Sequence, residues 1–460
     1  MRKWLPILVG ILIMLSDCVT SPEKGAVKSR PTPPPVEEPP YEGISALVAA
    51  GNPEEAVKEY EQAFTENKND ARTRYLYARL LLLAGKEKEA KETLNKLIEE
   101  NPGNIEALYS LAMAEAMDGN SKKQRELLEK VVAIDKTNAD ALASLGEIYL
   151  QSKNLDKAEK YFKDALASDN KNFVGLMGKG NLEIMKEKYK EAVVTFDKAI
   201  EENPEYSFAY IDRARAKKGS EDIKGAMMDL DEAIKLDPEY YWSYIDRGRI
   251  RMEHGSTDKA IEDFNEAIRL DPDYFVPYVF LGGIYSDRKM WSESAHYYLK
   301  VISLRPDYFY AYEPLGIYYY MQRDWQTAAK MFQEAYLYDN SNFTEALLAS
   351  ICLQKQGRKQ ESDDYLIPIL KTISAKTWYY DMVRYYITPV NDFYVIKQAD
   401  NAKNKTLKGR ILFYIASQYQ FEKSKQDVAL RFFFDALEME TTFATEYVLA
   451  EWETKNFRKQ

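Results

Sequence analysis

Residues 139–172, which read ADALASLGEIYLQSKNLDKAEKYFKDALASDNKN, indicate the fold of this chain most directly. They contain two apolar segments at helical spacing, separated by the polar turn Lys153-Asn154. Small and aromatic residues of this stretch recur every 34 positions along the chain. The recurring series are Pro204, Pro238, Pro272 and Pro306; Ala158, Ala192, Ala226, Ala260, Ser294 and Ala328; Gly146, Gly180, Ala214, Gly248, Gly282 and Gly316; and Phe162, Phe196, Leu230, Phe264, Tyr298 and Phe332.

A 34-residue period of this kind predicts two antiparallel helices in each repeat. Small residues such as Gly248 and Ala260 are expected where the two helices cross, because only small side chains let helix backbones approach closely. Pro272 is expected to end a second helix, since proline lacks an amide donor and disfavours helical conformation in its predecessor. The sequence therefore predicts an all-α solenoid of stacked helix pairs rather than a bundle of unrelated helices.

Residues 139–172 resemble the tetratricopeptide repeat (TPR). The matching signature positions are Leu142, Leu145, Gly146, Tyr149, Ala158, Phe162 and Ala165. The same register gives a truncated repeat near residue 41 and repeats that start near residues 71, 105, 139, 173, 207, 241, 275, 309 and 343. The resemblance implies a right-handed superhelix over residues 41–376. Beyond it, residues 377–460 are predicted to be a degenerate helical, TPR-like region closed by a capping helix at residues 446–452, because a solenoid end needs cover for its apolar face.

The first 17 residues have the pattern of a signal peptide, with the basic start Met1-Arg2-Lys3 followed by an uncharged apolar run over residues 4–15. Residues 15–18, Leu-Ser-Asp-Cys, resemble a bacterial lipobox, although Asp17 stands where glycine, alanine or serine is usual. The resemblance implies acylation of Cys18 and a bacterial membrane lipoprotein, exported to the periplasm or cell surface. The outer membrane is the favoured anchoring site, and the inner membrane is the alternative. Cleavage without acylation and an uncleaved anchor remain alternatives.

Residues 18–40 are predicted to be a disordered, proline-rich tether, because six prolines in residues 31–40 favour an extended chain that cannot pack. The net charge of -10 makes nucleic acid and anionic lipid poor partners. His254 and His296 lack metal-ligand spacing, and no phosphate-binding loop or nucleophile motif occurs. We therefore expect no enzyme activity, no metal and no cofactor. Cys352 lies between Ile351 and Leu353 and is expected to be buried.

In TPR proteins the first helix of each repeat lines a concave face that commonly holds an extended or helical segment of a partner. The second and fifth residues of a repeat lie on one helical face and are expected to point there. The candidate partner-binding residues are Phe208, Ile211, Arg215, Trp242, Ile245, Arg249, Val276, Val279, Tyr310 and Tyr320. Such a set suits an apolar peptide that carries a carboxylate. Phe208, Ile211, Ile245 and Val279 could instead fill gaps between first helices. Pro314 predicts a kink that widens the groove.

The C-terminal region suggests a narrower relationship. Trp378, the run DMVRYYI at residues 381–387, FYIA at 413–416 and EYVLAE at 446–451 occur in an order similar to that of NlpI-type outer-membrane lipoproteins. This resemblance implies an envelope scaffold with protein partners among peptidoglycan hydrolases and the proteases that trim them, and it raises homodimerisation. The alternative is an accessory component of a secretion, pilus or solute-transport system that holds a protein or small ligand in the groove.

Overall fold

The computed structural model describes residues 41–63, 70–390, 392–442 and 444–457. These ranges form 25 α-helices and two short 3₁₀ turns and contain no strand. The predicted all-α solenoid of helix pairs is confirmed. The predicted signal peptide, Cys18 and the tether lie outside the described residues.

The helices are α1 Tyr41–Ala49, α2 Pro53–Ala63, α3 Ala71–Leu83, α4 Glu87–Glu100, α5 Ile105–Met117, α6 Ser121–Ile134, α7 Ala139–Gln151, α8 Leu155–Ser168, α9 Phe173–Met185, α10 Tyr189–Glu202, α11 Ser207–Gly219, α12 Ile223–Leu236, α13 Tyr241–Glu253, α14 Thr257–Leu270, α15 Val276–Asp287, α16 Trp291–Leu304, α17 Tyr312–Met321, α18 Trp325–Tyr338, α19 Phe343–Lys355, α20 Lys359–Leu370, α21 Trp378–Ile387, α22 Asp392–Asp400, α23 Lys405–Tyr419, α24 Gln426–Leu437 and α25 Thr445–Asn456.

The helices group into two compact bodies, an N-terminal body that ends at Pro238 and a C-terminal body that begins at Glu239. In each body the odd-numbered helices up to α19 are the first helices of repeats, and the even-numbered helices up to α20 are the second. In each body taken by itself, we call the side formed by the first helices the first-helix face. Several begin with an asparagine or aspartate whose side chain accepts a hydrogen bond from the third helical amide, as Asn138 does from Ala141 at 3.0 Å.

The turn inside each helix pair contains one residue in the left-handed conformation, and these residues are spaced 34 apart. They are Gly51, Gly85, Gly119, Lys153, Glu187, Glu221, Gly255, Lys289, Arg323 and Gly357. Side chains rarely adopt this conformation, so half of the positions hold glycine and the others carry a backbone cost. The backbone therefore repeats the same turn from residue 51 to residue 357, including positions where the glycine signal is missing from the sequence.

In five repeats, a ring from the second helix fills the space left by a glycine on the first helix. Phe162 is buried on α8, and a Cβ atom on Gly146 of α7 would lie only 2.6 Å from its ring. A Cβ atom on Gly178 of the following first helix would lie 2.3 Å from the same ring. Gly248 and Phe264 have the equivalent relationship at 2.8 Å. The glycine and phenylalanine series thus have one cause, which is close packing of a ring against a helix backbone.

The helix that follows Pro306 differs from the expectation of a kink. Residues Phe309–Ala311 form a 3₁₀ turn, and α17 begins only at Tyr312. Pro314 therefore lies in the first turn of the α-helix, where an amide without an acceptor costs nothing. The predicted kink is wrong, because a late helix start accommodates the proline.

The C-terminal region adds α21 to α25 after the last regular repeat. Its buried side chains are continuous with those of α17 to α20 in one apolar core, which includes Phe413, Phe433 and Cys352. The helix α22 was not expected from the sequence. The expected capping helix corresponds to α25, but it does more than cover the end, because it packs back against α17 and ion-pairs with Lys355 of α19.

Candidate protein-binding site

In the N-terminal body, the candidate residues Phe208, Ile211 and Arg215 lie on α11. Phe208 is half-buried, and its ring lies 5.5 Å from that of Tyr206. Arg215 is exposed and pairs with Asp212 at 2.9 Å. Ile211 is buried with 5% of its surface exposed. The expectation that Ile211 faces a partner is therefore wrong, because its side chain fills the contact between helices.

In the C-terminal body, Trp242 is half-buried and Arg249 is exposed on α13, with Asp246 3.6 Å from the guanidinium. Ile245 is 1% exposed, so it too belongs to the core rather than to a partner surface. Val276 and Val279 are half-buried on α15. Ile211 and Ile245, each the fifth residue of its repeat, therefore fill gaps between helices, which is the alternative given above for them.

Half-exposed aromatic rings form a continuous row over three successive repeats of the C-terminal body. Trp242 lies 5.0 Å from Tyr274, Phe275 lies 5.4 Å from Tyr308, and Phe309 lies 4.0 Å from Tyr310, all between ring centroids. Tyr310 has 65% of its surface exposed. We call this row the aromatic strip; its members are Tyr240, Tyr241, Trp242, Tyr274, Phe275, Tyr308, Phe309 and Tyr310.

Most of the aromatic strip was missed by sequence reasoning, although a signal for it exists. Tyr240, Tyr274 and Tyr308 each stand two residues after a proline of the 34-residue series. The prolines themselves indicate only where second helices end. The tyrosines two residues after these prolines recur with the same period, and this recurrence indicates a row of rings along one edge of the first-helix face.

Tyr320 does not face an open groove. It is completely buried, and its hydroxyl donates a hydrogen bond to Glu453 of α25. Its ring packs edge-to-face against Trp452 of the same helix at 5.6 Å. Glu313, also on α17, accepts a hydrogen bond from Thr445 at the start of α25. The assignment of Tyr320 to a partner surface is therefore corrected, because a helix of this chain covers it.

The contact between α25 and the first-helix face centres on a buried ion pair. Lys355 Nζ lies 2.8 Å from Glu453 Oε1, and these side chains are 7% and 0% exposed. Gln420 Nε2 donates to the other carboxylate oxygen at 2.8 Å. Burial acts to raise the pKa of Glu453, but the Lys355 ammonium and the hydrogen bonds from Tyr320 and Gln420 together hold it below its ordinary value. The carboxylate of Glu453 therefore depends on these partners to stay ionised while buried.

A second carboxylate of interest, Glu147, lies on α7 in the N-terminal body. It is half-buried at the ninth position of its repeat, near the phenol of Tyr109. Burial raises the pKa of Glu147 to about 7. This carboxyl group therefore changes charge near neutral pH.

We expect the Glu147→Gln variant to be more stable than the wild type at pH 8.5 and equally stable near pH 4.5. The folded-state pKa lies above that of the unfolded chain, so the stability contributed by the neutral carboxyl group is present at low pH and lost as pH rises through about 7. Allowing for partial exposure, the gain at pH 8.5 should be about 2 kcal/mol. Urea unfolding at both pH values measures it. Glu126→Gln, at an exposed position on α6, is the control and should change stability by less than about 0.5 kcal/mol at either pH.

The described part of the chain contains no group of three or more histidine, cysteine, aspartate or glutamate side chains arranged to hold a metal ion. Within the same ranges, no helix is both long enough and apolar enough to cross a membrane.

Three family models match the sequence. Residues 47–115 and 243–274 each match a model described as Tetratricopeptide repeat, and residues 99–227 match one described as Tetratricopeptide repeat protein 21 N-terminal ARM repeat. No curated protein matches the sequence. The chain therefore contains tetratricopeptide repeats in both bodies, and this fold is that of a protein–protein interaction scaffold.

Several solved structures are similar to this chain. PilW, described as a widely conserved type IV pilus biogenesis factor, has 19% sequence identity and a TM-score of 0.42 over 45% of this chain and 94% of its own. PilF of Pseudomonas aeruginosa has 18% identity and a TM-score of 0.40 over 44% and 92%. A tetratricopeptide repeat protein from Parabacteroides merdae ATCC 43184 has 22% identity and a TM-score of 0.40 over 52% and 95%. These likenesses concern the fold alone.

Proposed function

We propose that this protein is a membrane-anchored adaptor of the bacterial envelope that binds a segment of a partner protein on its first-helix face. The observation that carries the proposal is the aromatic strip, in which rings from three repeats remain half-exposed although the core beside them is closed. Aromatic side chains contribute most of the binding energy in many protein interfaces. A row of them along stacked helices therefore suits an extended or helical peptide.

The charge beside the strip favours a partner with an acidic or carboxylate group. Arg249 is exposed on the same helix as Trp242, seven residues further along, and its guanidinium lies 3.6 Å from Asp246. A partner carboxylate must compete with Asp246, so the arginine should contribute less to binding than the tryptophan. The resemblance to NlpI-type lipoproteins supports peptidoglycan hydrolases and their proteases as partners. Recovery of secretion, pilus or transport components would favour the accessory role instead.

Partner capture tests the surface. We expect Trp242→Ala to reduce recovery of cross-linked partners from intact cells about tenfold or more, which corresponds to about 1.4 kcal/mol of binding free energy, and Arg249→Ala to reduce it a few-fold. Quantitative mass spectrometry of the cross-linked material measures both. Phe393→Ala and Arg269→Ala are matched controls, because Phe393 is an exposed aromatic on α22 and Arg269 an exposed, ion-paired arginine on a second helix. Unchanged recovery in both surface variants would exclude the strip as the binding surface.

Acyl labelling tests the anchor. If Cys18 is the acylated N-terminal residue of the mature protein, Cys18→Ser should abolish incorporation of labelled palmitate and release the protein from the membrane fraction. Cys352 is buried in the core and serves as the internal control, since Cys352→Ser should leave the label in place. Persistent labelling of the Cys18→Ser variant would contradict the lipid anchor while leaving the groove assignment untouched.

A further inference from the structure

Helix α25 reaches its site from a distant part of the sequence. Its Glu453 contacts Tyr320 across 133 residues, and its Glu451 pairs with Lys289 across 162 residues at 2.7 Å. Other helices of the chain pack mainly on their neighbours in the stack. Within the C-terminal body, α25 therefore occupies the first-helix face in the way a bound segment would, across several repeats at once.

The buried side of α25 carries two carboxylates, whereas each described repeat helix buries at most one. Four of its residues are buried, Glu446, Leu449, Ala450 and Glu453, and two of them are carboxylates seven residues apart on one helical face. The preceding helix α24 buries only Ala429, Phe433 and Ala436. A contact that depends on buried ion pairs is specific but contributes little net stability compared with an apolar contact of the same size. The free energy needed to release α25 is therefore smaller than that of an apolar contact of the same size.

The C-terminal half of α25 is well matched to its site. Glu453 has the ammonium of Lys355, the phenol of Tyr320 and the amide of Gln420 as partners. Trp452 packs against Trp325 at 6.2 Å, and the guanidinium of Arg323 lies 5.7 Å from the centre of its indole ring. A tryptophan followed by a glutamate is therefore what this end of the site recognises.

The N-terminal half of α25 is poorly matched. Glu345 of α19 is 2% exposed, and its Oε2 makes no hydrogen bond within the described residues. Glu446 lies nearby and accepts a hydrogen bond from the Tyr414 hydroxyl on its Oε1 at 3.1 Å, but its Oε2, which is 3.4 Å from Arg410 Nε, makes no hydrogen bond. Burial raises the pKa of Glu345 well above its ordinary value, as do Glu313 and Glu446, so this end of the site disfavours a second negative charge.

We propose that the surface formed by α17, α19 and α23 is a helix-binding site, which α25 occupies and from which α25 can be displaced. The displacing segment is an amphipathic helix of a partner protein. It has the same tryptophan-glutamate pair as α25 and a hydrogen-bond donor in place of Glu446. This inference rests on the proposed adaptor function and gives the adaptor, beside the aromatic strip, a second site with its own class of segment. The unsatisfied oxygen of Glu345 is the reason a partner helix with such a donor binds more tightly than α25 itself.

A labelled peptide of residues 444–457 tests this site on the full-length protein by fluorescence anisotropy. The wild type should bind it weakly, because α25 competes from within the chain. Trp452→Ala loosens the resident helix without altering its site, and this variant should bind the peptide at least tenfold more tightly. A peptide with Glu446→Gln should bind a few-fold more tightly than the native sequence, and one with Glu453→Gln at least tenfold more weakly. No binding by a folded Trp452→Ala protein, or equal binding of all three peptides, would overturn the proposal.

Hydrogen exchange of the wild type gives an independent measurement that needs no variant. The α25 amides should exchange through a local opening of lower free energy than that of α23 amides, whose helix is buried in the core. Exchange of α25 only together with the whole C-terminal body would show that it is an inseparable part of the fold and would overturn the proposal. A protein that binds the peptide but recovers no partner from cells would contradict the adaptor function and support the helix site.

Discussion

Phe162→Ala should lower the free energy of unfolding of the N-terminal body by about 3–5 kcal/mol, the usual cost of removing a buried ring from a packed core. The ring is 1% exposed and touches the backbones of two first helices, at Gly146 and Gly178. Neither helix carries a side chain there that could move into the cavity. Relaxation is therefore limited, and the loss should lie at the upper end of the range. Urea unfolding, with hydrogen exchange to locate the change to α7, α8 and α9, measures it.

A second pair of substitutions tests the cause. Gly146→Ala should cost about 1–3 kcal/mol in the wild type, because the added methyl would lie 2.6 Å from the ring of Phe162. The repeat that starts at residue 207 has alanine and leucine at the equivalent positions, Ala214 and Leu230, and both are buried. Gly146→Ala should therefore be tolerated when combined with Phe162→Leu. Additive costs of the two changes would contradict the proposed coupling between the glycine and ring series.

The surface control for these variants is Phe393→Ala. Phe393 is 74% exposed on α22, so its removal should change the free energy of unfolding by less than about 0.5 kcal/mol. A similar cost for Phe393→Ala and Phe162→Ala would mean that the measured loss reflects the substitution type and not the packing.

The parts of the fold that were predictable are those in which one local constraint recurs. A small residue packed against a large side chain is needed in each repeat, so pairs such as Gly248 and Phe264 reappear every 34 residues and can be recognised from the sequence. The left-handed turns show the limit of this reasoning. Lys153 and Glu187 have the backbone conformation of Gly119, but their residue types hide it. A residue type repeats along the chain where few other types fit the same packing or backbone conformation.

The candidate site was predictable only in part, because a helical face does not determine burial. Ile245 and Trp242 lie on one face of α13, yet Ile245 is buried in the core and Trp242 is half-exposed, and the difference depends on what packs beside each. The position of α25 was not predictable at all. Glu453 and Tyr320 lie 133 residues apart, and α25 belongs to no repeat, so no periodicity connects them. Contacts between non-repeating segments require the three-dimensional structure.

Lys355→Met should cost about 3–5 kcal/mol at pH 8, because it leaves the carboxylate of Glu453 buried without its cation. The ammonium also lies 4.9 Å from the ring centre of Trp325 and 5.6 Å from that of Tyr320, so aromatic rings flank it. The loss should appear first as reduced hydrogen-exchange protection of α25 and α19. Combining Lys355→Met with Glu453→Gln should recover about 2 kcal/mol or more, since the buried charge is then removed from both sides.

Lys289→Met is the matched control for this ion pair, because it breaks another lysine-glutamate contact of the same helix at the surface. Lys289 and Glu451 are 55% and 28% exposed, and their pair should contribute less than about 1 kcal/mol. Equal costs for Lys289→Met and Lys355→Met would show that burial of the Glu453 pair has no energetic consequence.

The pH dependence of Lys355→Met distinguishes a buried charge from lost packing. In the wild type the pKa of Glu453 is lowered, so its contribution to stability is present at neutral pH and lost as pH falls through that pKa. Without the ammonium, burial should raise this pKa above the value of the unfolded chain, so the variant is most stable at low pH and loses stability as pH rises. The cost of the substitution should therefore shrink between pH 8 and pH 5. A cost that is constant over this range would mean that Lys355 acts through its methylene chain alone, and that α25 is held by apolar packing and not by its carboxylates.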